Sequence, residues 1–133
     1  MSTHAPPRWY FDFISPFSYL QWPRVRDLPA IVPVPILLGA VLDARGQKGP
    51  AEIPGKREFT YRHVLWQARA EGVPMRFPPT HPFNPLAALR ACIAAGSDAA
   101  AVAAIFGWIW RDGCAVDSDA AMAPLLAQLD VAP

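Results

Sequence analysis

The stretch "RWYFDFISPFSYLQW", residues 8–22, joins a strand pattern directly to a helix start. Aromatic and branched side chains alternate between two faces over residues 8–14, which predicts a mostly buried strand. Ser15 then offers a hydroxyl at the N-cap position, and Pro16 suits the first helical position. A strand should therefore meet a helix N-terminus at Ser15. We expect the helix to run toward Leu28, with Pro23 breaking or kinking it after about two turns.

A second strand is predicted at residues 31–38, "IVPVPILL". Pro33 and Pro35 are two residues apart, so their two missing N–H groups lie on the same edge of the strand. That edge cannot pair in a ladder, which predicts an edge strand. Two strands flanking one helix form a β-α-β unit, whose connection is right-handed if the strands are parallel.

From residue 39 onward the pattern changes to a loop followed by helices. Residues 39–58, "GAVLDARGQKGPAEIPGKRE", have the glycine and proline content of a long loop, and loops of this length are usually functional or disordered. An extended proline-rich connection is predicted at residues 73–85. Helices are predicted at residues 58–71, 84–95, 98–110 and 117–129, each with capping or stop residues at its ends.

Composition and charge exclude several classes of partner. The chain has 133 residues, 53% hydrophobic and 17% charged, which suits one soluble domain. Its net charge is +1, so no long-range field should recruit nucleic acid or a membrane surface. The N-terminus lacks the order of a signal peptide, and the longest apolar run, residues 99–110, is too short to span a bilayer. A cytoplasmic location is therefore predicted.

Cysteine and histidine spacing argues against a metal site. Cys92 and Cys114 lie far apart, without a CxxC pair, and we expect both to be buried structural thiols. The three histidines have no acidic or cysteine partner at ligand spacing, so no metal site is predicted.

The four residues Ser15-Pro16-Phe17-Ser18 have the spacing of a Cys-Pro-X-Cys redox motif, with hydroxyls in place of both sulfurs. Dithiol chemistry is excluded, because the motif contains no cysteine. A helix N-terminus favours an anion, and a hydroxyl there can donate to a bound thiolate and so lower the pKa of the thiol. The residues alone leave two interpretations of Ser15 open: a plain N-cap, or a donor to the sulfur of a ligand. Ser18 is more simply a solvated or back-bonded serine.

Three segments together resemble one protein family. Residues 10–20, "YFDFISPFSYL", resemble the opening strand and helix of the 2-hydroxychromene-2-carboxylate isomerases and the kappa-class glutathione transferases, both of the DsbA-like thioredoxin superfamily. Residues 46–64, "GQKGPAEIPGKREFTYRHV", are similar to the family's loop that enters the helical insertion and reaches glutathione. Residues 77–90, "FPPTHPFNPLAALR", are similar to the isomerase segment before its next helix.

The resemblance extends over essentially the whole chain and implies an α/β, thioredoxin-like (DsbA-like) fold with an α-helical insertion domain. Residues 1–42 would form the N-terminal β-α-β part, and residues 43–133 the connecting loop and the insertion. The implied activity is that of a glutathione-dependent isomerase in the degradation of aromatic compounds such as naphthalene, interconverting 2-hydroxychromene-2-carboxylate and trans-o-hydroxybenzylidenepyruvate. Glutathione and a small aromatic substrate are the implied partners of a homodimer. The alternatives are a kappa-like glutathione transferase and a truncated, non-catalytic interaction protein.

The resemblance also implies roles for individual residues at the helix start and before the later helix. Ser15 matches the serine that contacts the glutathione sulfur and is the implied catalytic residue, with Pro16 and Phe17 beside it. Asn84 matches a position near the substrate pocket, although its Asn-Pro context also makes it a good N-cap, and both roles stay open.

In the loop, Lys48 and Lys56 match basic positions at which a glutathione carboxylate finds a cation. Gln47 stands where many relatives carry Asn. Without the resemblance, both lysines would be ordinary solvated charges. Six aromatic side chains are candidates for a substrate pocket, although core packing is the better expectation for each: Phe17, Tyr19, Trp66, Phe83, Trp108 and Trp110.

The family's fold continues after the insertion with two strands, a helix and a Val-Pro-Thr loop, and this sequence ends at Pro133 before any such segment. We therefore expect a fragment, a truncated reading frame or a half that another polypeptide completes, in which the second half of the sheet is absent. A two-stranded sheet should not bury both faces of the first strand, and Asp12 should lack neighbours there. Exposed strand edges would favour oligomers.

Overall fold

A computed structural model of the chain describes residues 4–133. Within these residues, the two strands are β1 (Arg8–Phe11) and β2 (Val32–Pro35). The helices are α1 (Pro16–Val25), α2 (Leu38–Ala44), α3 (Lys56–Glu71), α4 (Leu86–Ala94), α5 (Ala99–Phe106) and α6 (Asp119–Leu129). A 3₁₀ turn, Pro50–Glu52, precedes α3, and a π-helical turn, Gly107–Arg111, follows α5.

The strands β1 and β2 pair in parallel on either side of α1, with Trp9 opposite Pro33. The N–H of Val32 donates to the carbonyl of Pro7 at 2.9 Å. Because successive N–H groups of a strand point to opposite edges, Pro33 and Pro35 turn their missing donors away from β1. The predicted β-α-β unit and the edge position of the second strand are confirmed.

Helix α1 begins at Pro16, as predicted, but it does not break at Pro23. It continues to Val25, and the residues on either side of the proline stay in the core: Trp22 is 4% and Val25 is 5% exposed. A proline inside a helix removes one backbone hydrogen bond. Burial of Trp22 and Val25 on either side offsets that loss, and this tertiary packing is why the predicted break at Pro23 was wrong, while the alternative of a kink there stays a prediction.

The core lies between α1, the sheet and the later helices. It draws on residues from both predicted segments: Phe11, Phe13, Leu20, Val64, Ala88, Val102, Ile105, Phe106, Trp110 and Leu125. Cys92 is fully buried in it, as predicted, whereas Cys114 is only half-buried because it lies in the turn after the π-helical segment. The predicted boundary after residue 42 falls inside α2, and the division into two segments stays a prediction.

The four predicted helices are present, and most of their caps are those expected. Gly72, in the left-handed region at φ 68°, ends α3. The side chains of Asp98 and Ser118 cap α5 and α6. No helix within residues 4–133 is long and apolar enough to cross a bilayer, and a cytoplasmic location stays a prediction.

The segment predicted as one long loop, residues 39–58, contains α2, the 3₁₀ turn and the start of α3. The residue before α2, Leu37, has no side chain that could cap it. Instead, the carboxylate of Asp12 accepts the N–H of Leu38, the first residue of α2, at 2.8 Å. Asp12 therefore does not lack neighbours, and both expectations were wrong because the first N–H of α2 bonds to Asp12, the residue that follows β1.

Helix α3 presents an aromatic stripe, defined as Phe59, His63 and Trp66, to the outside of the molecule. Phe59 is 70% and Trp66 is 64% exposed, and both rings stack on His63, with centroid distances of 6.2 and 5.9 Å. Phe17 is also partly exposed and lies 6.0 Å from the ring of His63. Core packing was thus the wrong expectation for Trp66 and Phe17. It is confirmed for four others, fully or partly buried in the core: Tyr19, Phe83, Trp108 and Trp110.

Candidate functional site

The junction between β1 and α1 is held by a buried carboxylate. Asp12 is 2% exposed, and its Oδ1 accepts the N–H of Ile14 at 3.1 Å while Oδ2 accepts the N–H of Leu38. Burial raises the pKa of Asp12, and the backbone hydrogen bonds partly oppose that rise. One side chain thus shapes the turn before Ser15 and starts α2 beside it.

Two side chains from much later in the chain bond to the carbonyls of Phe13 and Ile14, the two residues after Asp12. The indole Nε1–H of Trp110 donates to the Phe13 carbonyl at 2.7 Å. Nε2 of His81 lies 2.8 Å from the Ile14 carbonyl, and the hydroxyl of Tyr61 lies 2.7 Å from Nδ1 of the same ring. Burial lowers the pKa of His81, which favours the neutral ring. The backbone ahead of Ser15 is therefore tied to the helical part of the molecule.

Ser15 caps α1 and still has a donor to offer. Its backbone is extended, at φ −91° and ψ 115°, and its Oγ accepts the N–H of Ser18 at 3.3 Å. A hydroxyl accepts at its oxygen and donates its own hydrogen, so the cap leaves the O–H free for a ligand. Within residues 4–133, the N–H of Phe17 has no hydrogen-bond partner. The two interpretations of Ser15 are compatible: the N-cap is confirmed, and the donor role stays a prediction.

A cavity of about 400 Å³ opens in front of Ser15. Its volume is within the range of small-molecule sites, about 300 to 1,000 Å³. It is lined by residues 14–17 at the junction, Leu38, Gly39, Leu42 and Asp43 of α2, residues 47–52 of the following loop, and His81 and Pro82. Four separate parts of the chain therefore build it, and α1 points its N-terminus into it.

Five of the seven predicted site residues line this one cavity: Ser15, Pro16, Phe17, Gln47 and Lys48. The other two do not. Lys56 is the exposed first residue of α3. Asn84 is exposed, and its Oδ1 accepts the N–H of Leu86 at 3.0 Å, at the start of α4. The N-cap of α4 is Pro85, without a side-chain cap bond, so the expectation that Asn84 is the N-cap residue was wrong, although its side chain takes the first N–H of the helix. The substrate role of Asn84 and the role of Lys56 stay predictions.

Sequence reasoning missed the opposite wall of the cavity. Leu38 and Leu42 supply apolar surface, and the acidic residues Asp43 and Glu52 line the same cavity as Lys48. Glu52 accepts the N–H of Gly49 at 3.1 Å, which shapes the loop. No local pattern marks these residues, because α2 is started by a residue distant in sequence.

His81 was also missed, since a histidine without an acidic partner nearby in sequence gives no signal for a backbone contact. Within the described part of the chain, no three His, Cys, Asp or Glu side chains come close enough to share a metal ion.

Fold and sequence define the class of this protein. Residues 8–132 match the DsbA-like thioredoxin domain, so the chain belongs to that family. The predicted family and the predicted thioredoxin-like α/β fold are confirmed, with a sheet of two strands within residues 4–133.

Two proteins similar to this chain bear the name of the same enzyme. The chain is 32% identical over 118 residues to a 2-hydroxychromene-2-carboxylate isomerase of Pseudomonas putida, covering 81% of this chain and 57% of that protein. It also resembles a solved structure of a selenomethionine-labelled 2-hydroxychromene-2-carboxylate isomerase, with a TM-score of 0.72 and 26% identity over 94% of this chain and 66% of that one. The chain thus spans little more than half the length of its curated relative.

Proposed function

We propose that the chain acts as a glutathione-dependent isomerase that interconverts 2-hydroxychromene-2-carboxylate and trans-o-hydroxybenzylidenepyruvate. The observation that carries the proposal is the position of Ser15, which starts α1 and lines a small-molecule cavity together with Gln47 and Lys48. The two relatives bear the name of this isomerase, which supports the choice of reaction.

The cavity has the chemistry that glutathione requires. Glutathione is a tripeptide with a thiol, an ammonium group and two carboxylates. Lys48 offers a cation for a carboxylate, and Asp43 and Glu52 offer anions for the ammonium group. The hydroxyl of Ser15 and the free N–H of Phe17 offer donors for the sulfur. Charges of both signs around a helix N-terminus therefore fit this ligand.

Bound glutathione would supply a thiolate that adds to an unsaturated carbon of the ring-opened substrate, turns a double bond into a single bond that can rotate, and then leaves. In this mechanism the residues of the chain stabilise the negative charge on the sulfur and hold the reacting groups in position. Ser15 donates its O–H toward the sulfur, and the dipole of α1 favours negative charge at the same point. Leu38, Leu42 and Phe17 provide apolar walls for an aromatic ring.

Calorimetric titration with reduced glutathione tests the site. We expect saturable binding by the parent chain, and a dissociation constant raised by about tenfold or more in Ser15→Ala, because a hydrogen bond to a charged group is lost. Ser18→Ala is the matched control. Its hydroxyl is outside the cavity lining and its N–H still bonds to Ser15, so its affinity should match the parent's.

Circular dichroism should show that both variants stay folded. No binding by the parent, or equal binding by Ser15→Ala and the parent, would contradict the proposed site. Product analysis with the aromatic substrate then tests the reaction. Isomerisation leaves glutathione unconsumed, whereas a stable adduct would identify a transferase and overturn the isomerase.

We also propose that the chain forms a homodimer through the free edge of β1. Within residues 4–133, β1 pairs only with β2, and its other edge has no strand beside it. Such an edge readily pairs with another strand.

A further inference from the structure

The carbonyl of Ile14 lacks a helical partner. In a longer helix it would accept the N–H of Ser18, four residues on. That N–H is taken by Ser15 Oγ, at 3.3 Å. An unpaired, partly buried carbonyl would favour a shifted helix start, in which Ser18 bonds to Ile14 and Ser15 is no longer the cap.

His81 supplies the missing donor. Its Nε2 lies 2.8 Å from the Ile14 carbonyl. A carbonyl oxygen only accepts, so Nε2 must carry the hydrogen. His81 is half-buried in the wall of the cavity that Ser15 also lines. The imidazole thus occupies the place that the Ser18 N–H would otherwise take.

Tyr61 holds the other side of the same residue. Its hydroxyl lies 2.7 Å from Nδ1 of His81 and 3.0 Å from the His81 carbonyl. With the hydrogen on Nε2, Nδ1 of the neutral ring is an acceptor, so the single hydrogen of the Tyr61 hydroxyl is shared between Nδ1 and the His81 carbonyl. Tyr61 belongs to α3, so the helical part of the molecule helps to hold the ring at the junction.

We propose that His81 is a positioning residue that holds the Ile14 carbonyl and keeps Ser15 at the N-cap of α1 in the cavity wall, with Tyr61 holding the other side of the ring. The role goes beyond the glutathione site proposed above. Only its consequence for catalysis rests on the proposed function.

Glutamine and asparagine at position 81 distinguish a side chain that donates a hydrogen bond from one that only fills space. The Nε2 of a glutamine lies as many bonds from Cβ as Nε2 of histidine, so His81→Gln can keep a donor on Ile14. The amide of an asparagine corresponds to Nδ1, so His81→Asn cannot reach. His63→Asn is the control, because it removes an exposed histidine that has ring contacts with Phe17 and Trp66.

Amide hydrogen exchange of Ser15, Ser18 and Tyr19, whose N–H groups are bonded at the junction, is followed by NMR as the primary measurement, and it needs no ligand. We expect His81→Asn to speed exchange there by about tenfold, the loss of roughly one net hydrogen bond. His81→Gln should restore rates close to the parent's, and His63→Asn should leave them unchanged. Nitrogen-15 shifts of the His81 ring should show hydrogen on Nε2 in the parent.

Equal exchange in His81→Asn and the parent would overturn the proposal, and so would a failure of His81→Gln to rescue it. Hydrogen on Nδ1 in the parent would do the same, and this measurement stands even if His81→Asn does not fold. Glutathione titration of the variants is the secondary measurement, with affinity expected to fall in His81→Asn and recover in His81→Gln. If the parent itself does not bind glutathione, the proposed function fails while the exchange and ring shifts still decide the role of His81.

Discussion

Asp12 shows how much of this site depends on single residues. Its carboxylate is 2% exposed and accepts N–H groups from Ile14 and from Leu38, which belong to two sides of the cavity. A charged group is buried here only because both of its oxygens have donors. The same side chain therefore contributes to the turn before Ser15 and to the start of α2.

Replacing Asp12 by Asn should lower the free energy of unfolding by about 1 to 3 kcal/mol, because an NH₂ group then faces a backbone N–H. Burial raises the folded-state pKa of Asp12. Its stabilising contribution is therefore fully present below its ordinary pKa and is lost as pH rises through the folded pKa. The deficit of Asp12→Asn should thus be larger at acidic than at neutral pH, which denaturant unfolding at both values measures.

Asp98→Asn is the matched control for this prediction. Asp98 caps α5 at an exposed position, and Asn is an equally good cap there. A deficit as large in Asp98→Asn as in Asp12→Asn, or one in Asp12→Asn that grows as pH rises, would contradict the prediction.

At the scale of elements, the cavity is the space between the N-terminus of α1, the helix α2 and the loop that leads to α3. Local signals predicted α1 and α3, since Ser15 and Pro16 start α1 and Gly72 follows the last residue of α3. They did not predict α2, whose N-terminus is capped from β1. The wall opposite Ser15 was therefore assigned to a loop, and its residues were missed.

The two lysines of that loop should differ in their effect on glutathione binding. Lys48 lines the cavity and Lys56 does not. We expect Lys48→Gln to weaken binding by about fivefold, the effect of losing one exposed ion pair, with a smaller effect at high salt. Lys56→Gln, the same substitution outside the cavity, should change the affinity little. Titration of both variants at low and high salt checks this, and equal losses would show that the carboxylate does not bind beside Lys48.

At the scale of the whole molecule, β1 has one edge without a partner strand within residues 4–133. Its sheet has two strands within residues 4–133, and Tyr10 of β1 is 56% exposed. Since the N–H of Val32 bonds to Pro7, the backbone groups of Tyr10 point to the other, free edge of β1.

Sedimentation velocity should show a dimer of the parent chain at micromolar concentration, and a monomer for Tyr10→Pro. Proline is tolerated at a strand edge and removes the N–H that edge pairing needs. Trp66→Ser is the control, because it removes exposed aromatic surface from α3 and leaves the edge intact. A dimer that persists in Tyr10→Pro but dissociates in Trp66→Ser would place the interface on the aromatic stripe instead.

The sequence by itself determined the elements whose signals are local. Ser15 and Pro16 start α1, Pro33 and Pro35 mark an edge strand, and Gly72 ends α3, because a cap, a missing N–H or a positive φ acts within one turn of chain. The resemblance of the same segments placed the chain in its family.

Only the tertiary structure decided the rest. Packing determines which face of α3 is buried. The fold also places Asp12 at the start of α2 and His81 at the carbonyl of Ile14. These contacts join residues that are far apart in sequence, so neither propensity nor periodicity records them. They form because buried backbone groups must find partners, and in a packed molecule those partners are set by the fold.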